Sequence, residues 1–206
     1  MTQFYEIHPD NPQPRLISQA VACVRNGGLI VYPTDSGYAL GCHIGDKKAL
    51  DRIRRIRKLD KDHNFTLVCR DLSELAIFAR VDNTSFRVLK NHTPGPYTFI
   101  LRATPEVPNR LQHPKKKTIG IRVPDNRIAM ALLESLGEPL MSTSLIMPDQ
   151  DIPLFDPEEI YEALKGRVDL VINGGHVESV PSTVVDMLDG FPILARVGAG
   201  NPEAFE

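Results

Sequence analysis

The chain lacks most of what would place it outside the ordinary globular class. Its longest apolar runs, such as Leu29 to Tyr32 and Ala131 to Leu133, fall far short of the roughly 18 residues that a membrane span requires. The first ten residues hold no basic segment followed by an apolar stretch and a small-residue cleavage site, so export by a signal peptide is not expected. Cys23, Cys42 and Cys69 are odd in number and widely spaced. That excludes a disulfide framework or a C-x-x-C zinc knuckle and fits a reducing cytoplasm. Neither sign of charge is in excess, since 24 Lys and Arg stand against 26 Asp and Glu for a formal charge of −2. Any signal for a nucleic-acid or membrane partner must therefore be local.

Familiar catalytic signatures are also missing. There is no G-x-x-x-x-G-K-[ST], no G-x-G-x-x-G after a strand, no H-E-x-x-H and no G-x-S-x-G, which removes the chemistries that depend on those spacings. His8, His43, His63, His92, His113 and His176 include no pair at metal-ligand spacing, so no tightly bound metal is expected. What the chain does have is 206 residues, 42% of them hydrophobic, with 14 Gly and 17 Pro. That is a globular composition slightly rich in proline, long enough for one sizeable core.

Helical and strand signals alternate along it. Pro14, with Ile17, Ala20, Val21 and Val24 at helical spacing before Gly27-Gly28, predicts a helix over 14–26. Leu29 to Tyr32, bounded by glycine and Pro33, reads as a strand buried on both faces. A glycine-spaced segment follows from Asp35 to Gly41. Asp46 is placed to cap a helix reaching Lys58, while Asp71 and Asn83 are placed to cap two short ones. Strands are expected over 65–69, 97–102, 118–123, 140–144 and 168–172. Further helices span 127–136, ended by Gly137, and start at Asp156-Pro157. The runs 183–187 and 192–197 flank Asp189-Gly190 as a terminal hairpin. Helical crossovers favour parallel neighbours and the hairpin demands an antiparallel pair. The expected fold is thus one α/β domain over 1–206, its core spanning about 14–200, on a large twisted mixed sheet.

Three features carry candidate chemistry. In Tyr32-Pro33-Thr34-Asp35-Ser36-Gly37-Tyr38 a buried strand presents hydroxyls, a carboxylate and a glycine at its C-terminal edge, where α/β sheets bind ligands. A polar turn in which Asp35 and Ser36 bond their own backbone is the alternative. In Thr118 to Val123, strand parity puts Ile119, Ile121 and Val123 on one face and Thr118, Gly120 and Arg122 on the other. There Gly120 leaves room for a ligand and Arg122 can hold a phosphate or carboxylate, unless it is an edge-strand arginine in solvent. In helix 46–58, Arg57 falls inside the apolar arc of Ala49, Leu50, Ile53 and Ile56. It must snorkel, complement the helix C-terminus or turn its charge into a cleft. Residues 46–62 carry eight Lys and Arg against four acids, Lys115-Lys116-Lys117 adds a second basic patch, and 149–169 offset them with seven acids and two bases. A near-neutral chain can thus carry a basic groove, with Lys48, Arg52, Arg55, Lys58, Lys115 and Lys116 as candidate RNA contacts, or simply a solvated charged face.

With these segments in view, the chain resembles the YrdC-like family of threonylcarbamoyl-adenylate synthases, and most closely its YciO branch. The first anchors are Gly27-Gly28-Leu29-Ile30-Val31-Tyr32-Pro33-Thr34-Asp35 followed by Gly41, then Pro94 to Leu101 and Ile121-Arg122-Val123-Pro124-Asp125. Ser142-Thr143-Ser144, Pro181 to Asp186 and Arg196 complete the set. The resemblance implies a twisted mixed sheet around a concave basic groove, association with double-stranded RNA or tRNA, and use of ATP with Mg2+, L-threonine and bicarbonate in tRNA modification. It implies that Thr34 and Ser182 face the amino acid, Arg196 its carboxylate, and Arg57, Arg122, Ser142 and Ser144 the nucleotide. The synthases carry K-x-R after the first basic helix and S-x-N after the S-T-S strand. Here those positions read Arg57-Lys58-Leu59 and Ser144-Leu145-Ile146. The expectation is therefore an adenylate-binding, RNA-binding protein with weakened or altered synthase chemistry. An active synthase and a non-catalytic RNA-binding module are the alternatives.

Overall fold

The computed structural model describes residues 1–60 and 62–205. In chain order the elements are β1 (Gln3–Glu6), α1 (Pro14–Arg25), β2 (Ile30–Thr34), β3 (Gly37–His43), α2 (Lys47–Arg57), β4 (Thr66–Val68), α3 (Leu72–Phe78) and α4 (Asn83–His92). They continue with β5 (Tyr97–Arg102), β6 (Thr118–Arg122), α5 (Arg127–Leu136), β7 (Leu140–Ser144), α6 (Pro157–Leu164), β8 (Leu170–Asn173), β9 (Thr183–Asp186) and β10 (Ile193–Arg196). Side-chain caps start the helices where the sequence places them. Asp46 accepts from the Ala49 amide at 2.8 Å, and Asp156 accepts from both Glu158 and Glu159 at 2.9 and 3.0 Å. One cap is displaced. Asp82, not Asn83, accepts from the Ser85 amide at 2.7 Å, because the carboxylate one residue earlier reaches the third helical amide.

The strands form one sheet in the order β1-β8-β2-β3-β7-β4-β6-β5-β9-β10. β1 and β2 each pair with β8 in parallel, as do β4 with β6 and β5 with β9, and the remaining neighbours are antiparallel. The sheet is mixed as expected, with the terminal hairpin β9–β10 in place. Two strands were not read from the sequence. β1 is a short edge strand, and β3 takes up most of the glycine-spaced segment from Asp35 to Gly41, for which the pattern predicts no element. Gly41 is required inside β3 because a Cβ there would lie 2.8 Å from the Tyr32 ring on β2. The glycine marks close packing of two strands.

Two apolar layers enclose the sheet. On one face α1 and α5 pack Ile17, Val21, Ile128 and Leu132 against Ile30, Val68, Leu140 and Leu170. On the other, Leu50, Ile53 and Ile56 of α2, Leu75 of α3 and Ile160 of α6 cover Val31, Leu67, Phe99, Ile121 and Met141. No helix among the described residues is long and apolar enough to cross a membrane.

Candidate functional site

Sheet register explains where the cavity lies. Thr66 of β4 stands beside Gly120 of β6 and Ser142 of β7, and Gly120 stands beside Ile100 of β5. Ala39 of β3 is opposite both Tyr32 and Ser144, while Thr98 pairs with Val184. By the two-residue alternation of strands all of these side chains project from one face. Near β2, β3 and β7 that face is sealed by α1 and α5. Where their apolar cover ends, the same face lines a cavity of about 270 Å³.

All seven residues expected to serve nucleotide and amino acid line this cavity: Thr34, Arg57, Arg122, Ser142, Ser144, Ser182 and Arg196. Arg122 is 6% exposed. It donates through Nη1 to Ser36 Oγ at 2.9 Å and through Nη2 to the Asp35 carboxylate. The other Asp35 oxygen accepts from the Asp125 amide at 2.8 Å, so the turn after β2 is tied to the end of β6. The hydroxyl that closes this turn on its own backbone is that of Thr34, which accepts from the Ser36 amide at 3.1 Å and donates to the Gly37 carbonyl at 2.6 Å. Arg57 leaves the apolar arc of α2 and donates through Nη1 to Thr143 Oγ1 at 2.8 Å and to the Ser144 carbonyl at 2.6 Å. Arg196 donates to the Ser182 carbonyl from Nε and Nη2 at 3.2 and 2.8 Å.

Three guanidiniums thus converge on one wall that carries no carboxylate among the described residues. Asp35 lies behind that wall and is engaged by Arg122. Burial pushes the Arg57 and Arg196 guanidiniums below their usual range, with Arg122 adding repulsion at Arg196. The Nε–H groups of Arg57 and Arg122 are buried with no partner among the described residues. Gly120 opens the wall less than expected: a Cβ there would meet Thr66 Oγ1 at 3.0 Å and Thr98 Cγ2 at 3.3 Å, so glycine also relieves crowding between strands.

Several wall residues escaped the sequence reading. Thr98 shares a 2.7 Å hydrogen bond with Ser182. Tyr32 and Ser142 share another of 2.7 Å, and burial pushes the Tyr32 phenol up to about 12. Thr98 interrupts an otherwise apolar run from Tyr97 to Leu101, a lone polar position that could have singled it out. Nothing in the sequence singles out His63 and Asn64, which reach the wall from the loop between α2 and β4. Burial, reinforced by Arg57 and Arg54, lowers the His63 imidazole to about 4.

The candidate RNA contacts lie elsewhere. Lys48, Arg55, Lys58, Lys115 and Lys116 are exposed, and none forms an ion pair among the described residues. Arg52 differs from that set. It is held by Asp169 at 2.6 Å and by the Arg167 carbonyl at 2.9 Å, so the acidic stretch 149–169 reaches the basic helix and neutralises part of it. No three His, Cys, Asp or Glu side chains cluster as metal ligands among the described residues.

The family model for Sua5, YciO and YrdC proteins, described as telomere recombination, matches residues 22–198. The chain belongs to this family. It is 60% identical over 205 residues to the YciO protein of Escherichia coli K12, spanning 100% of both chains. The crystal structure of E. coli YciO superposes with a TM-score of 0.97 at 59% identity, again covering 100% of each chain. More distant members include the threonylcarbamoyl-AMP synthase of Bacillus subtilis 168, 27% identical over 203 residues, which cover 98% of this chain and 58% of that protein. The Sua5 of P. abyssi, crystallised with L-threonine, matches with a TM-score of 0.88 at 25% identity over 96% of this chain and 58% of that one. The family therefore joins YciO proteins of this length to longer synthases.

Proposed function

We propose that this protein binds an adenylate-type nucleotide, ATP or AMP, together with L-threonine in the arginine-lined cavity, and that its threonylcarbamoyl-adenylate chemistry is weakened or altered. The observation that carries this reading is the convergence of Arg57, Arg122 and Arg196 on a wall without a carboxylate. Guanidiniums in such a setting favour phosphate and carboxylate oxygens. Arg57, Arg122, Ser142 and Ser144 are assigned to the nucleotide, and Thr34, Ser182 and Arg196 to the amino acid. The synthase relative and the L-threonine complex support the classes of ligand, and the division of residues between them follows the family resemblance. Magnesium enters as part of the ATP substrate, since no carboxylate among the described residues lines the cavity to hold it as a resident ion.

Weakened chemistry follows from two side chains. Leu59 and Ile146 stand where an arginine and an asparagine belong in the synthase pattern, and missing donors of this kind cost several kcal/mol of transition-state stabilisation. Calorimetric titration with ATP, followed by pyrophosphate release in the presence of threonine and bicarbonate, tests the reading. The expected result is ATP binding with slow, threonine-dependent release. A protein that binds no ATP refutes it, and release at the rate of a synthase favours the fully active alternative.

Structured RNA, double-stranded RNA or tRNA, is proposed as the macromolecular partner of the exposed Lys48, Arg55, Lys58, Lys115 and Lys116. Its affinity should fall with salt by a log–log slope of about −0.7 to −0.9 per phosphate contact. Reversing charge at Lys115 and Lys116 should flatten that slope, and an unchanged slope removes these residues from the interface.

A further inference from the structure

One group on the cavity wall has no part in that reading. Among the described residues no carboxylate lines the wall, and the Tyr32 phenol is pushed up to about 12. Among the described lining side chains His63 is therefore the one whose ordinary titration range lies near neutral pH. Its ring is set from two sides. It stands edge-on to Phe65 with centroids 5.3 Å apart, and Nε2 lies 3.4 Å from Thr143 Oγ1. The same oxygen accepts from Arg57 Nη1 at 2.8 Å, which leaves the threonine hydroxyl proton free to point at the imidazole. An anion gripped by Arg57 would sit beside this imidazole.

We infer that His63 is the acid–base residue of the cavity, handing a proton to the pyrophosphate that leaves when a carboxylate-type oxygen attacks the α-phosphorus of bound ATP. This rests on the cavity being an adenylate-forming site. In that step the attacking oxygen bonds to phosphorus and the bond from the α-phosphorus to the bridging oxygen breaks. The electron pair stays on the pyrophosphate oxygen, which takes the proton from the imidazolium, and His63 ends neutral. The proton is loaded when nucleotide binds. Among the described residues the charged groups acting on the ring in the free protein are Arg57 and Arg54 from α2 and Asp60 from its own loop, with Thr143 and Phe65 uncharged. Burial and the two arginines outweigh Asp60 and hold the imidazole at about 4. A triphosphate reverses that local field, so ATP binding draws a proton from solvent onto His63.

Two measurements on the full chain test this. Carbon-13 NMR of the histidine rings, with His63 assigned by its loss in H63Q, should show an imidazole that stays neutral to well below pH 6 in the free protein. Addition of ATP should move it up toward the ordinary imidazole value. Calorimetry of ATP binding at pH 6.5 in two buffers of different ionisation enthalpy should report proton uptake that H63Q and H63N both lose. Pyrophosphate release should fall at least about tenfold in both variants. ATP binding with an unmoved His63 titration, or undiminished release in folded H63Q, overturns the role of His63 while leaving the nucleotide reading intact. A parent that binds no ATP overturns both.

Discussion

The two faces of strand β6 differ in how their residues are satisfied more than in how deeply they lie. Ile121 is 0% exposed and its neighbour Arg122 only 6%. On β7 the same contrast separates Met141 at 1% from Ser142 at 3%. The aliphatic face is stabilised by transfer from water and close packing under α2, α3 and α6, and it asks for no particular partner atoms. The opposite face is as inaccessible but polar, so each group on it depends on a specific acceptor or donor. Arg122 finds Asp35 and Ser36, Tyr32 finds Ser142, and Thr98 finds Ser182. What remain unmade there are the Nε–H groups of Arg57 and Arg122, buried without a partner among the described residues.

The largest effect that would sharpen this comparison comes from adjacent residues on opposite faces. Arg122→Met strands the Asp35 carboxylate, 10% exposed in its side chain. It should cost about 3–5 kcal/mol, a fall of roughly 6–20 °C in Tm for a chain of this size, and abolish ATP binding. Adding Asp35→Asn should recover part of the stability and none of the binding. Ile121→Ala should cost about 2–5 kcal/mol through the cavity it leaves, yet preserve ATP affinity below its melting range. Thermal denaturation and calorimetric titration of the three variants decide the matter. If Ile121→Ala loses ATP as fully as Arg122→Met while still folded, the two faces are not functionally separable.

How much of this was legible depends on whether the signal is local. The parity of Thr118 to Val123 placed Arg122 and Gly120 on one face because a six-residue alternation is complete within the strand. The anomaly of Arg57 was visible because a helix projection needs only its own residues. The caps at Asp46 and Asp156 were likewise local. β3 was hidden because Gly41 answers to Tyr32 on another strand, a contact that no window around Gly41 contains. β1 was hidden because an edge strand such as Gln3–Glu6, with no buried residue, leaves almost no apolar pattern. His63 owes its position to Thr143, eighty residues away in the chain, and its loop has no periodicity to read. Arg52 looked like a free cation because its partner Asp169 is equally remote.

The smallest expected effect concerns the end of β7, where Leu145 and Ile146 repeat the contrast between faces. Leu145 is 0% exposed in the core, whereas Ile146 is half-buried and lines the cavity. Ile146→Asn therefore puts an amide against ligand space rather than into packed hydrocarbon. Its cost should stay at or below the lower end of the roughly 1–3 kcal/mol charged for an unpaired buried polar group, and nucleotide should offset it. Leu59 is less favourable, since it packs against the core beside α2 and does not line the cavity. Leu59→Arg must first lift its stem off that surface before the guanidinium can reach the opening beside Arg57. Ile146→Asn alone should then raise pyrophosphate release more than Leu59→Arg alone, with the double variant highest. Melting temperatures with and without ATP should show a larger ATP-induced rise in Ile146→Asn than in the parent. If the double variant folds, binds ATP and releases pyrophosphate no faster than the parent, these two positions do not limit the chemistry. The polar face would then lack something other than the donors at 59 and 146.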